Sequence, residues 1–233
     1  MKKGDYSTIK KAKRYDKERF SGNLKTINMD EIDIIRTFIA RNLHSHSPII
    51  LDIGAGTGRV TKELIRFKPK NLFALDQSKT MLNLLIENLH HEYESGVLKI
   101  IVSNSDNIPL NNNSLDLAVS MHLFKHLTDL KPTINETSRI LKKGGLFLFD
   151  FLNSRSLIKL RPTTCSIYNL QYIQGLLRDS GFLAVDHKYV HGFGETIYRF
   201  IYPNCLNFFH KIDAKISNKL HIGTKVIIIA RKI

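Results

Sequence analysis

The sequence predicts an α/β fold built on a doubly wound, mostly parallel sheet, and three observations carry that prediction. Short β-type runs alternate with amphipathic helical stretches from residue 46 onward. A glycine-rich turn, Leu51-Asp52-Ile53-Gly54-Ala55-Gly56-Thr57-Gly58, follows the first of those runs and opens a helix. A carboxylate, Asp76, ends the second run some 20 residues after the turn. Such alternation implies a sheet with helices on both faces. Ligands then sit at the carboxyl ends of the strands, near the point where the strand order reverses.

Two helices, over 5–20 and 28–41, are expected ahead of the alternation. The second carries Met29, Ile32, Ile35, Phe38 and Ile39 at helical spacing, with Asn28 or Asp30 able to cap its start. After the connector at 44–48 come strand 48–53, helix 58–68, strand 71–76, helix 79–92 and strand 97–103. Strand 114–120, helix 132–142, strand 145–151, helix 169–180 and strand 182–190 follow. The last strand, 224–230, is separated from its predecessor by far more chain than a hairpin needs. In that insertion Pro203 is placed to open a helix. Phe208, Ile212, Ile216 and Leu220 share one stripe of this helix, and Lys211, Lys215 and Lys219 the adjoining one. A helix docked on the core with a solvated basic face explains that pattern, as do a substrate cap or a helix lying on an anionic membrane.

At 233 residues, 42% hydrophobic and 24% charged, the chain has the composition of one ordinary globular domain with appended segments. No apolar run approaches the roughly 18 residues needed to span a bilayer, and no apolar stretch follows Met1-Lys2-Lys3, so a cytoplasmic protein is expected. Cys165 and Cys205 suit neither a disulfide framework nor a metal site. The net charge of +14 is uneven: residues 1–45 carry +5, residues 46–150 only +1, and residues 151–233 carry +8. Either the ends of the chain attract an acidic partner, or the lysines reflect a general compositional bias toward Lys, Asn and Ile.

Glycines at 54, 56 and 58 let backbone amides approach a ligand closely. The spacing is GxGxG rather than the GxGxxG of dinucleotide sites. Asp52 discriminates further. A carboxylate beside the turn repels a pyrophosphate but attracts the ammonium of S-adenosylmethionine (SAM). Asp76 can accept hydrogen bonds from both ribose hydroxyls, since Ser78 is available to cap the helix that follows. Ser105-Asp106-Asn107-Ile108-Pro109-Leu110 then offers a carboxylate for an exocyclic amine and apolar atoms for a purine.

In this order, with Ser114-Leu115-Asp116-Leu117-Ala118-Val119-Ser120 and Arg139-Ile140-Leu141-Lys142-Lys143-Gly144-Gly145, the motifs resemble the class I SAM-dependent methyltransferases. The resemblance is to the small-molecule branch that includes ubiquinone/menaquinone-biosynthesis enzymes, and it covers residues 46–190. It implies a Rossmann-like, seven-stranded sheet with its last strand antiparallel. The expected segments are an N-terminal helical lid (1–45), a SAM-binding core (46–191), a cap insertion (192–223) and a final core strand (224–233). It implies further that Asp52, Gly54, Ala55 and Gly56 hold the methionine end and Asp76 the ribose. Gln77 flanks the adenine, Asp106 and Asn107 read its edge, Ser120 lies beside the methionine, and Asp116 is structural. Lys143 stands where the family usually has proline.

The implied cofactor is SAM, released as S-adenosylhomocysteine, and no metal is implied. Its sulfonium is already electrophilic, so the chain must chiefly align the acceptor and exclude water. His122 and His126 are the candidate bases for an acceptor that needs one, although a structural or surface histidine is the more ordinary reading of each. Tyr15 and Arg19 of the first helix can close over the pocket, unless that helix merely docks on the core. The expected acceptor is a small molecule, anionic or lipid-linked, methylated at oxygen or carbon, and peripheral membrane contact is compatible with the basic ends. RNA or an acidic carrier protein is the alternative, although no recognition motif for nucleic acid is visible. A non-catalytic partner subunit is a third reading, opposed by the intact set of cofactor residues.

Overall fold

The computed structural model describes Ala12, Arg14 and residues 22–156 and 165–233. Apart from Ala12 and Arg14, the helix expected over 5–20, with Tyr15 and Arg19, lies outside the described residues. Helix α1 (Leu24–Asn42) starts four residues before the expected position. Neither Asn28 nor Asp30 caps it, and Met29 is exposed. Its inward stripe is Leu24, Ile27, Glu31, Ile34, Ile35 and Phe38, in which an acidic side chain interrupts an apolar row. Asn23, at the helix start, donates from its amide to the carbonyls of Tyr198 and Ile201 at 3.0 and 2.7 Å, tying α1 to the distant insertion.

Strand β1 (Ile49–Ile53) leads through the glycine turn to a short α2 (Thr61–Leu64), which tightens into a 3₁₀ turn at Ile65–Phe67. Then come β2 (Asn71–Asp76), α3 (Lys79–Asn88), α4 (His90–Glu94), β3 (Leu98–Val102) and β4 (Leu115–Ser120). The single helix expected over 79–92 is thus two, parted at Leu89. Helix α5 (Lys131–Ile140) precedes the long β5 (Leu141–Asn153), followed by a two-residue β6 (Ile167–Tyr168), α6 (Leu170–Asp179) and β7 (Phe182–Val190). The insertion forms α7 (Gly194–Phe200) and α8 (Pro203–Leu220), with proline in the first turn of α8, before β8 (Lys225–Lys232).

The sheet order is β3-β2-β1-β4-β5-β8-β7, with β6 added beside β5. All neighbours along the path are parallel except β8, which runs antiparallel to both β5 and β7. The expected seven strands and antiparallel last strand are therefore present, with the small β6 as an addition. Because successive residues of a strand face opposite sides, each strand feeds two cores. Ile50, Leu72, Leu117, Leu148 and Ile229 pack with Ile35 and Phe38 of α1 on one face. Leu51, Leu75, Ala118, Phe149 and Ile228 pack with Ile134 and Ile173 on the other.

Of the three readings of the α8 stripe, the structure does not bear out docking on the core. Phe208 and Leu220 are exposed, at 72% and 56%, and Ile212 is 39% exposed, so this stripe does not dock on the core. The inward side instead carries Leu206 and Phe209, packed with Leu24, Ile27 and Tyr198, together with buried Asp213 and Ser217. A polar network fixes that choice of face. Asp213 accepts from the Tyr198 hydroxyl at 2.7 Å, from the Ser217 hydroxyl at 3.1 Å and from the Phe193 amide at 3.3 Å. Leaving Asp213 buried without these donors would cost more than exposing a few apolar side chains.

Candidate cofactor site

The strand order reverses between β1, which continues toward β2, and β4, which continues toward β5. The glycine turn leaves β1 at this point. The amides of Gly54 and Ala55 both donate to the carbonyl of Leu75, at 2.7 and 2.9 Å, which hooks the turn over the end of β2. Gly56 has φ +57°, and a Cβ placed on it would meet no atom within 4 Å. Its backbone therefore borders open space, as a ligand cradle requires. Gly58 needs glycine for another reason: φ is +94°, and a Cβ would fall 2.9 Å from Leu85.

Asp76 sits at the rim of this cradle. One oxygen accepts from the Gly56 amide at 2.9 Å and the other from the Ser78 amide at 2.8 Å. Ser78 does cap α3, through the Met81 amide, but Asp76 is not thereby left idle. It braces the turn. Burial pushes its carboxyl above the usual range, against the pull of those amides. Asp52 is 1% exposed and accepts from the Thr61 hydroxyl at 2.7 Å. Burial raises it to about 6, opposed by Thr61 and Arg59 and reinforced by the negative charge of Asp76.

The remaining expected cofactor residues are arranged as follows. Gln77, Asp106 and Asn107 are exposed beyond the ends of β2 and β3. The Asp106 loop is held from α5: Glu136 accepts from the Ile108 amide, and Arg139 donates to the carbonyls of Ile108 and Leu110. Ile108 is buried beneath it. The Ser120 hydroxyl donates to the Ile53 carbonyl at 3.0 Å, pinning β4 to β1 under the turn. Asp116 accepts from the Ile49 amide and from Lys142, at 2.8 and 2.7 Å, a structural role.

The two candidate bases differ sharply. His126 is exposed on the 3₁₀ turn Phe124–His126. His122, with φ +64°, is drawn into a buried ionic cluster at the carboxyl end of the sheet. Its amide donates to Asp150, and its Nε2 lies 2.8 Å from Glu31 and 3.0 Å from Lys225. Lys225 also bonds Glu31 and lies 3.3 Å from Asp150, while Arg59 lies 3.3 Å from Glu31. Burial and the Lys225 charge hold the imidazole well below its usual pKa, outweighing the opposite pull of Glu31. Burial pushes Glu31 up, but Lys225, His122 and Arg59 more than reverse it and keep the carboxyl well below its usual range. The His122–Glu31 contact is thus a hydrogen bond between a neutral ring and a carboxylate, not an ion pair. An imidazole so placed is a poor proton acceptor.

Sequence reasoning missed Glu31, Arg59, Asp150 and Lys225. A signal existed: Asp150 and Lys225 are lone charges inside Leu146–Phe151 and Thr224–Ala230, two otherwise apolar β runs. Beside the cluster, α1, β7 and α8 enclose a cavity of about 590 Å³ whose lining includes Asp30, Phe38, Lys188, His191 and His210. Burial presses His191 down to about 4, and among the described residues its Nε2 is a buried polar atom with no hydrogen-bond partner.

These groups set a sign for acid stability. Unfolded histidines take up protons near 6.5, which the folded His122 and His191 refuse. Asp52 acts oppositely between about 6 and 3.8. Asp76 and Asp30, also raised by burial, act with Asp52, and His187, lowered by burial, acts with the other two rings. Because unfolded histidines begin to titrate near 6.5, ahead of the carboxyls, the melting temperature is expected to fall from pH 7 to pH 5. A rise over that interval would contradict the burial of these rings.

A parallel sheet with a glycine cradle at its switch point and carboxylates on β1 and β2 defines a nucleoside-cofactor-binding α/β domain. Residues 51–149 match the methyltransferase domain family. Over that segment, about two fifths of its length, the chain is similar to methyltransferase domains, and solved methyltransferases that share the fold hold S-adenosylhomocysteine, which points to SAM as the cofactor. The chain is 31% identical over 124 residues to an uncharacterized methyltransferase of Anoxybacillus flavithermus, covering 52% of this chain and 54% of that one. It is 28% identical over 127 residues to a malonyl-[acyl-carrier protein] O-methyltransferase of Nitrosospira multiformis, covering 48% and 41%. The chain thus spans about half the length of these relatives or less. A phosphoethanolamine N-methyltransferase 2 of Haemonchus contortus, solved with phosphomonomethylethanolamine and S-adenosylhomocysteine, shares the fold. Its TM-score is 0.65 at 17% identity, covering 97% of this chain and 57% of that one.

Proposed function

We propose that this chain is an active methyltransferase that transfers the methyl group of SAM to a small-molecule acceptor, at oxygen or carbon. The observation that carries the reading is the pairing of the open Gly56 cradle with Asp76 at the β1–β4 switch point. A carboxylate offers about four acceptor directions. The amides of Gly56 and Ser78, with that of Gln77, brace Asp76 at the rim of the cradle, where a ribose diol would meet its remaining acceptor capacity. Asp52 supplies negative charge beside the turn for the methionine ammonium.

SAM brings its own electrophile, so the protein's work is to bind, orient and keep water out. His122, held neutral and engaged with Glu31, orders the floor of the acceptor region rather than taking a proton. That favours an acceptor already ionised near neutral pH, such as a carboxylate, which needs no base. The cavity between α1, β7 and α8 has the size of a small-molecule site, within the usual range of roughly 300–1,000 Å³. A second reading, an acceptor presented on an acidic carrier protein, is supported by the +8 charge of residues 151–233 and the name of the Nitrosospira multiformis relative.

Calorimetry with SAM and S-adenosylhomocysteine tests the core of this reading. Both are expected to bind, and Asp76→Ala is expected to weaken them by about 1–3 kcal/mol through loss of charge-assisted hydrogen bonds. If neither binds, the alternative of a non-catalytic subunit replaces it. Methyl transfer from labelled SAM to free carboxylates, compared with carrier-linked ones, separates the two acceptor readings.

A further inference from the structure

Helix α8 wears its amphipathicity outward. Its buried side holds Asp213 and Ser217, whereas Phe208 and Ile212 point to solvent between Lys211, Lys215 and Lys219, all exposed. At 100° per residue these five fall within about one third of the helix circumference. Just ahead of the helix, Phe200 and Tyr202 are 81% and 80% exposed. The one acidic residue of α8 is Asp213, so the outward face carries positive charge alone. Among the described residues nothing packs on this face: the helix is already anchored through Leu206, Phe209 and the Tyr198–Asp213 pair.

We propose that this face docks on a bilayer containing anionic phospholipid, with Phe208 and Ile212 entering the headgroup–acyl boundary and the three lysines reaching the phosphates. The residue types choose a lipid surface over a protein. Protein–protein interfaces are depleted in lysine and favour arginine, and this outward face has three lysines and no arginine. Lysine is suited to a membrane interface because its flexible stem lies along apolar matter while the ammonium stays at the phosphate level. Tyrosine is likewise enriched at that depth. The binding is peripheral, since no described helix is long and apolar enough to cross a membrane. The inference is independent of the acceptor and of catalysis.

The sequence contains no tryptophan, which permits a clean optical probe. In the full chain, F208W is mixed with phosphatidylcholine vesicles containing about one third phosphatidylglycerol, and with pure phosphatidylcholine vesicles. The F208W emission is expected to shift to the blue and to be quenched by brominated acyl chains with the anionic vesicles. Y172W, at an exposed position on α6, stays unchanged. Neutralising three lysines (K211Q/K215Q/K219Q) should lower vesicle partitioning roughly a hundredfold, at about fivefold for each charge near the surface. Raised salt should act in the same direction. Absence of vesicle binding at low salt overturns the proposal. So does binding in which F208W keeps its solvent-exposed spectrum. A blue shift without lipid, accompanied by self-association in sedimentation, assigns the face to a second copy instead. An acidic carrier protein that binds the face when vesicles do not also overturns it. Circular dichroism of each variant checks that α8 is retained.

Discussion

Lys225→Met is expected to destabilise the fold by about 3–5 kcal/mol, the range for removing one partner of a buried ion pair. The lysine lies at the start of β8 and is 5% exposed, where it bonds Glu31 of α1 and faces Asp150 of β5. Without it, two carboxylates face each other across the carboxyl end of the sheet, with Arg59 the nearest compensating cation. At this chain length the loss corresponds to roughly 6–20 °C in melting temperature. The double variant Lys225→Met/Glu31→Leu should recover part of it, because one of the two uncompensated carboxylates is then gone while Asp150 remains. A single variant that melts within a degree or two of the parent would show that Lys225 is not buried as described. The acid dependence has a definite sign. Glu31 is depressed, so its contribution is complete above the unfolded value near 4.5 and is lost only as pH falls well below it.

SAM affinity is expected to fall as pH drops below about 6. In the cofactor-free protein Asp52 titrates at about 6 because burial disfavours its charge. An ammonium placed beside it favours that charge, so the complex holds the carboxylate ionised to lower pH. Binding below 6 must then expel a proton, which weakens affinity by up to tenfold per pH unit, and by up to about a hundredfold before the ordinary carboxylate range is reached. Asp52→Asn should weaken binding at pH 8 and flatten the profile, which separates Asp52 from the also raised Asp76. Calorimetric titration between pH 5 and 8 reads both effects. A flat parental profile means that Asp52 does not face the ammonium.

The fold was legible because local pattern and tertiary role agree through the core. The β7 limits of Phe182 and Val190 follow directly from the alternating run, and the glycine turn lies where a strand must hand over to a helix. Legibility failed where long-range partners decide the outcome. Met29 fits a helical stripe in the sequence, yet Glu31 takes the inward place because Lys225, 194 residues away, awaits it. In α8 the sequence pattern shows the apolar stripe but leaves core docking, a substrate cap and a membrane surface open as its use. Asp213 decides against core docking, because a carboxylate supplied with three donors is better buried than Phe208. The role of His122 was equally hidden: one residue type serves as base or as structural link, and only its neighbours distinguish the two.

The antiparallel β8 lies between β5 and β7 rather than at an edge. It is also the last in order of the eight strands among the described residues. While a ribosome is still making residues 225–232, β5 and β7 each lack the neighbour that fills the space between them, and Glu31 lacks its lysine. Exposed strand edges recruit other chains, and pairings between segments distant in sequence form slowly. Productive folding therefore waits on the final few residues of the sheet. A nascent chain stalled before them should be a substrate for chaperones and a seed for aggregation.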